Sequence, residues 1–264
     1  DTDVLTTAGL AQTLFENYTA SKYAAFFTIL EAYAFNGNKV ELPNLLENEY
    51  NSVGIILGDT ETRTGTTASQ GAAVGVLAGR LASFSTKVNP GKVRNGALNT
   101  QKLFINDTAV ENFDTEVLHD KGFITFTTHQ SRAGYFVMDA MMACKIDDDY
   151  HYLTHRRTIN EAYRLTYDAM LDFLLDEVPV NPNGTIAAVY AKTMESSVER
   201  KIATSMAEDL SKNAEDPKDS GVKCFVDPNQ NIISTSKTKV AVKVRPYGTN
   251  RWFDVELGFQ LNNE

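Results

Sequence analysis

Apolar and polar residues alternate along two segments near the end of the chain. Valine stands at every second position from 240 to 244, and a period of two returns from 253 to 261. This period is typical of strands that bury one face and expose the other. Pro246 and Gly248 lie between the segments and favour a chain reversal, so the pattern predicts a C-terminal antiparallel hairpin. Its buried face would comprise Val240, Val242, Val244, Phe253, Val255, Leu257, Phe259 and Leu261.

A hairpin of this kind indicates assembly between copies of the chain. Two strands alone are marginally stable in water, and an exposed edge strand is a template for another chain. We therefore predict that residues 251–261 pair with a neighbouring subunit by β-augmentation, with the eight apolar residues above forming the interface. The alternative is that the same segment closes the sheet of its own subunit.

The rest of the chain shows both strand and helix periods. Residues 52–59 predict a buried strand, because Val53 to Leu57 lack polar side chains and the segment ends at Gly58-Asp59. Residues 123–128 with 134–139 predict a second hairpin. Met194, Val198, Ile202 and the apolar residues around them recur every fourth position, which predicts one buried helix face. Helices are predicted at about 68–84, 108–119, 153–177 and 185–212.

This order of elements predicts an α/β to α+β fold. An open mixed sheet with flanking helices would be followed by a helix pair on a C-terminal antiparallel sheet. We place the division at residue 147: residues 1–147 would form an N-terminal α/β core, and residues 148–264 a C-terminal α+β domain with the long helices and the terminal hairpin.

Charge narrows the range of functions. The chain of 264 residues carries 25 Lys and Arg against 34 Asp and Glu, a formal net charge of −9. Nucleic-acid binding needs a basic patch, and the adjacent basic residues are limited to Arg156–Arg157 and Arg200–Lys201. No segment reaches the roughly 18 apolar residues of a membrane span, and no signal peptide is recognisable. We therefore expect neither nucleic acid as a partner nor direct membrane insertion.

Two groups of residues could carry chemistry. Asp147, Asp148 and Asp149 with His151 and His155 offer oxygen and nitrogen ligands for a divalent metal, as in a metal-dependent hydrolase. The same aspartates could instead stabilise the positive N-terminal end of the helix that follows. We favour this structural interpretation over a metal site. The two cysteines, Cys144 and Cys224, form no CxxC pair and predict buried thiols in a reducing compartment. We expect no cofactor, no metal and no catalytic residue.

Several segments, taken in order, resemble one known family. They are 88–93 (Val-Asn-Pro-Gly-Lys-Val), 122–125, 134–136, 148–159 (from Asp-Asp-Tyr-His-Tyr to Arg-Arg-Thr-Ile), 244–248 (Val-Arg-Pro-Tyr-Gly) and 254–259 (Asp-Val-Glu-Leu-Gly-Phe). In these motifs the chain is similar to the contractile tail sheath proteins of bacteriophages and related injection systems, with the sheath-like proteins of Bacteroidetes phages and prophages as the nearest branch. The resemblance covers about residues 75–264. Because the chain opens on Asp1, we expect further N-terminal sequence in the natural protein.

The resemblance implies a structural role without an active site. It implies a subunit that polymerises helically around a tail tube and contracts to drive the tube through a membrane. The implied partners are further copies of the chain, the tail tube protein, and baseplate and tail terminator proteins. The implied location is a virion tail or injection-system particle, assembled in the bacterial cytoplasm. A non-contractile tail or baseplate protein of the same fold is the second structural alternative.

Overall fold

The computed structural model describes residues 2–32, 35–62 and 73–258. Its helices are α1 (Thr2–Lys22), α2 (Val74–Ala82), α3 (Glu116–Asp120), α4 (Leu153–Leu171), α5 (Ala188–Ser205) and α6 (Ile232–Thr235). Its strands are β1 (Thr28–Glu31), β2 (Glu49–Tyr50), β3 (Val53–Ile56), β4 (Phe104–Ile105), β5 (Thr108–Ala109), β6 (Phe126–His129), β7 (Arg132–Val137), β8 (Ala143–Cys144), β9 (Val222–Val226) and β10 (Val240–Val244). None of the helices in these ranges has the length and apolarity of a membrane span.

The N-terminal half is organised around β3, the buried strand that the apolar run predicts. β3 pairs in parallel with β1, and Ile56 continues the sheet through a parallel bridge to Ile124. All four residues of β3 are buried. Side chains from α1, α2 and β6 pack around this strand, and the resulting core extends from Val4 to Leu153.

The C-terminal half is a pair of helices packed on a two-stranded antiparallel sheet. Met194, Val198 and Ile202 form the buried face of α5, as the fourfold spacing predicts. The side chains of Ala162, Leu165 and Ala169 on α4, together with Val222 and Cys224 on β9, complete this second core. The molecule is therefore α+β, and the predicted helix pair on an antiparallel sheet is confirmed.

The prediction of a C-terminal hairpin is wrong in its pairing. Residues 240–244 do form a strand, but β10 pairs antiparallel with β9, from Val240 opposite Val226 to Val244 opposite Val222. Residues 253–258 form no strand. Phe259 and Leu261 lie outside the described residues. A period of two identifies a strand but carries no information about its partner, and β9 competes successfully because its valines face the helix pair.

A second prediction fails at residues 108–119. This segment begins as the short strand β5, continues as a 3-10 turn at Val110–Asn112, and becomes helical only in α3. The predicted helix at 153–177 ends earlier, at Leu171, as α4. The predicted helix at 68–84 is observed from Val74 to Ala82, and residues 68–72 lie outside the described residues.

Candidate assembly interface

The aspartate run forms the turn that leads into α4. Asp148 accepts hydrogen bonds from the Tyr150 N–H (2.7 Å) and from the side-chain amide of Asn51 (3.1 Å). Asp147 and Asp149 are exposed to solvent. The Asp148 carboxylate therefore stabilises the turn and holds the loop at Asn51, whereas the other two carboxylates are exposed to solvent.

The two histidines of the same segment are used within the fold. His151 is buried, and its Nδ1 lies 3.2 Å from the Cys144 carbonyl oxygen. His155 Nδ1 lies 3.3 Å from the Asp149 carbonyl oxygen. In the described part of the chain, no group of three or more His, Cys, Asp or Glu side chains could hold a metal ion. The residues predicted as alternative metal ligands are therefore not brought together.

The cysteines are free and buried, as the sequence predicts. Burial raises the pKa of the Cys144 thiol to about 12 and that of Cys224 to about 11. Both side chains are consequently protonated at neutral pH. Because the thiolate is the reactive form, neither cysteine is suited to act as a nucleophile.

The basic pair that precedes Thr158 is built into the fold. Arg157 Nη2 donates to the carbonyl oxygens of Leu81 and Phe84, each at 2.9 Å, and so terminates α2 against α4. Arg156 is buried. This pair therefore does not form a basic surface patch.

The chain after β10 turns back across the N-terminal half as an extended segment, residues 245–251, called the strap below. At its start the Arg245 side chain pairs with Asp219, whose pKa is lowered to about 2 by backbone hydrogen bonds and by this arginine. Further along, the Tyr247 ring lies 5.2 Å from the Lys87 ammonium. The strap forms one wall of a groove of about 1090 Å³, and the N-terminal half forms the other.

The strap ends at a buried ion pair with Asp139. Arg251 Nε donates to Asp139 Oδ2 at 2.6 Å, and the guanidinium carbon lies 3.3 Å from the centre of the Tyr152 ring. Asp139 Oδ1 accepts from the Asn89 side-chain amide (2.6 Å) and from the Ala140 N–H (2.7 Å). One carboxylate thus joins the 88–93 segment, the second hairpin and the strap.

Beyond Arg251 the chain becomes largely exposed, although Trp252 and Phe253 still line the groove. Residues 252–258, called the tail below, form no regular secondary structure and are exposed. Its large apolar side chains keep most of their surface in contact with solvent: Trp252 78%, Phe253 78%, Val255 72% and Leu257 94%. Exposed apolar residues that stand alone are common, but a contiguous set marks an interaction site.

The C-terminal sheet has one closed edge, on β9. The N–H groups of Cys224 and Val226 donate to carboxylate oxygens of Glu199 and Glu195 on α5, each at 2.9 Å. Burial by itself would raise the pKa of Glu195, but hydrogen bonds from Lys192 and the Val226 N–H outweigh it and lower the pKa. The charged carboxylates therefore satisfy the outer donors of β9 and exclude a further strand there.

On the opposite edge, no described residue hydrogen-bonds to the outer backbone groups of β10 between Val240 and Val244. The Arg245 N–H donates to the Gly221 carbonyl (2.8 Å), so odd-numbered residues of this strand face β9. In an antiparallel ladder the even-numbered residues then direct their N–H and C=O groups away. These are Val240, Val242 and Val244, whose side chains pack on the helix pair. Three of the predicted interface residues thus present an open backbone edge.

Sequence reasoning missed the residues that hold the strap. Asp139, Asn89 and Arg251 are far apart in sequence. Asn89 and Arg251 stand beside turn-forming residues, whereas Asp139 ends the predicted strand at 134–139. The signal that points to them is indirect: the segments 88–93 and 244–248 both belong to the motifs that carry the family resemblance. In the structure these two segments converge at the groove.

The fold belongs to the class found in contractile injection systems. The baseplate of the anti-feeding prophage contains a chain similar to this one, with a TM-score of 0.67 and 14% identity over 97% of this chain and 65% of that chain. The sheath complex of the extracellular contractile injection system PVC, in its contracted state, has a TM-score of 0.59 and 13% identity over 89% and 64%. This chain therefore spans slightly less than two thirds of the length of those proteins.

The chain belongs to the DUF2586 family. The N-terminal domain of that family matches residues 1–141, and its C-terminal domain matches residues 149–264. No curated protein matches the sequence. The resemblance to contractile-system proteins is thus confirmed at the level of the fold, whereas the Bacteroidetes branch and the division at residue 147 stay predictions.

Burial of His151 predicts a pH-dependent stability. Desolvation lowers the pKa of His151 below its ordinary value of 6.5. The unfolded chain therefore binds a proton that the folded chain does not, and the free energy of unfolding falls as the pH drops through 6.5. We expect urea titrations to show this slope between pH 7.5 and the folded pKa, and His151→Gln to reduce it. His155→Gln, a change at a half-exposed position, should leave the slope intact; equal slopes in all three proteins would contradict the assignment.

The Asp139 carboxylate should contribute strongly to stability. Asp139→Ala removes the acceptor of Arg251, Asn89 and the Ala140 N–H, and leaves a largely buried cation unpaired. We expect a loss of roughly 3 kcal/mol in the free energy of unfolding, measured by urea denaturation. The matched control is Glu161→Ala, which removes the exposed pair with Arg164 and should cost about 0.5 kcal/mol or less. Similar losses for the two variants would show that the strap anchor is not a stabilising contact.

Proposed function

We propose that this protein is the subunit of a contractile tail sheath. It polymerises as a helix around a tail tube and shortens to drive that tube through a membrane. The observation that carries the proposal is the presence, in one sheath-like subunit, of an open strand edge on β10 and an exposed apolar tail. The two features are complementary, and the described part of the subunit leaves both of them largely uncovered.

The tail is suited to add a strand to the β10 edge of a neighbouring subunit. Its apolar residues alternate with acidic ones from Phe253 to Leu257, which is the pattern of a strand that buries one face. Main-chain hydrogen bonds to the even-numbered residues of β10 would supply affinity, and the side chains would fix the register. Each large apolar side chain buried on pairing contributes about 1.5–3 kcal/mol.

The strap holds the tail away from β10 of its own subunit, so the hairpin that the sequence predicts does not form. After β10 the chain is directed toward the N-terminal half by the pairs Arg245–Asp219 and Arg251–Asp139. A tight reversal that pairs residues 251–257 with β10 would require the Arg251–Asp139 pair to break. The tail therefore donates to another copy, and the contact is heterologous because donor and acceptor are different surfaces.

The partners follow from this role. Further copies of the chain supply the lattice, and the tail tube protein occupies its centre. Baseplate and tail terminator proteins bind the two ends. The particle assembles in the bacterial cytoplasm as a virion tail or an injection system. Support comes from the fold shared with contractile-system proteins and from the family motifs at residues 88–93 and 244–248.

A non-contractile baseplate subunit is the second candidate. It is favoured by the similarity of this chain to a chain of a baseplate structure. Electron microscopy of the native particle separates the two roles. A sheath subunit recurs along the whole tail and its spacing shortens on contraction, whereas a baseplate subunit is confined to one end. A label on this chain found only at the tail end would overturn the sheath assignment.

Substitution in the tail should abolish polymerisation without unfolding the subunit. We expect the purified wild-type chain, when concentrated, to form helical sleeves by negative-stain electron microscopy. Val255→Lys places a charge on the face that the neighbour buries, so sleeves should be lost. Because Val255 is exposed in the subunit, the free energy of unfolding should change by less than about 0.5 kcal/mol.

The matched control is Val40→Lys, the same change at a valine that is 88% exposed and distant in sequence from tail and β10. It should polymerise as the wild type does. A second variant ends at Arg251, which keeps the strap anchor and removes only the tail, and it should remain monomeric. Sleeves of normal length from both tail variants would show that the tail is not the link between subunits.

A further inference from the structure

A second pocket lies apart from the strap, between α1, α4 and the turn at Asn51. Its volume is about 350 Å³. Phe15, Tyr150 and Tyr163 supply aromatic walls, and Arg156 lies among them. The Arg156 guanidinium carbon is 4.2 Å from the centre of the Tyr150 ring and 5.1 Å from that of Phe15. A cation is thus held between two rings at the wall of a small cavity.

Arg156 is buried without a direct anionic partner. Its Nε and Nη2 donate to the carbonyl and side-chain oxygens of Asn51, both at 2.8 Å. Within the described ranges Nη1 makes no hydrogen bond, and no carboxylate lies within ion-pair distance. Asp148 is linked to the arginine only through the Asn51 side chain. A buried guanidinium that has no carboxylate in direct contact is energetically costly. An anion bound directly to Arg156 would therefore be favourable.

Two more polar groups of the same pocket lack partners. Thr19 Oγ1 and Asn160 Nδ2 are buried and make no hydrogen bond with any residue that the structure describes. Buried donors without acceptors are rare in folded proteins, and each one calls for an explanation. Both residues line the pocket, so a rotation of each side chain would bring its polar group to a ligand there without breaking a hydrogen bond to a described residue. Arginine, amide and hydroxyl together provide donors for one small anion.

We propose that this pocket binds a short aliphatic carboxylate. The planar guanidinium matches the geometry of a carboxylate, and the aromatic walls suit an aliphatic stem. Because Glu16 also lines the pocket, a doubly charged phosphate would be repelled more strongly than a single carboxylate group. The group can come from a free organic acid or from the side chain of a glutamate or aspartate on a docking protein. Glu16 at the rim, held by Gln12 (3.0 Å), opposes any such ligand by charge repulsion.

The test is an NMR titration of the full-length protein that follows the Arg156 Nε–H signal. One probe is succinate, which represents a free acid. The other is a capped Ala-Glu-Ala peptide, with Ala-Gln-Ala as its uncharged counterpart. We expect saturable shifts at millimolar concentrations with a carboxylate probe, and none with the glutamine peptide or with inorganic phosphate. Binding of succinate with exclusion of the peptide assigns a free acid, and binding of the peptide assigns a protein side chain.

Variants separate binding from structure. Thr19→Val and Asn160→Leu each remove an unpartnered group, so the melting temperature should not fall while carboxylate binding weakens about tenfold. Thr13→Val is the matched control on α1, because its hydroxyl only donates to the Gly9 carbonyl, and it should bind normally. Glu16→Gln should strengthen binding, since it removes the opposing charge at the rim.

Three results would overturn the proposal. The first is no saturable shift with either carboxylate probe in the wild-type protein. The second is phosphate binding as tight as that of the carboxylates, which would contradict the ligand class. The third is unchanged binding in both Thr19→Val and Asn160→Leu, which would place any bound acid elsewhere. All three are independent of whether the chain forms sleeves.

Discussion

The Asp139 carboxylate is the contact on which the arrangement of the C-terminal segment depends. It accepts from Asn89, from the Ala140 N–H and from Arg251, so that both of its oxygens are engaged in a largely buried setting. Hydrogen bonds to charged groups are stronger than neutral ones, and removal of one partner leaves the others uncompensated. The strap is therefore held at its C-terminal end by a largely buried ion pair, Arg251–Asp139, which is costly to break. The tail begins one residue later, so its starting point and direction follow from this pair.

The two edges of the C-terminal sheet differ in whether their outer backbone groups are hydrogen-bonded, and this difference determines where a further strand could bind. On β9, Glu195 and Glu199 accept from the outer N–H groups and replace a neighbouring strand. On β10 no described residue covers the outer backbone groups of the three valines, although the valine side chains pack against the helix pair. An edge strand that is rigid on one face and open along its backbone is a defined acceptor. Because the β9 edge is closed, strand addition to the C-terminal sheet is limited to the β10 edge.

The sequence predicts those parts of the fold in which the local pattern of apolar residues matches the positions that are buried in the structure. The buried strand at 53–56, the α5 face at Met194, Val198 and Ile202, and the fold class all follow from spacing. The pairing of β10 does not, because alternation in Val240–Val244 is equally compatible with any partner strand. The segment 108–119 misleads for the opposite reason: its composition favours a helix, but β5 pairs with β4 and interrupts it. The Asp139 site has no local signature at all, since it exists only when three segments distant in sequence meet.

The proposed donor tail and acceptor edge lie at different places on one subunit, and this arrangement has consequences for the ends of the proposed assembly. Heterologous contacts that do not close into a ring extend as a helix, and every added subunit consumes one edge and supplies one tail. The proposed lattice therefore always presents an unused β10 edge at one end and an unpaired apolar tail at the other. An uncovered strand edge recruits further chains, and an uncovered apolar segment favours aggregation. Length control in such a polymer thus requires two chemically different caps, one that supplies a strand and one that accepts a tail. This requirement gives a physical reason for distinct proteins at the two ends of the proposed sheath.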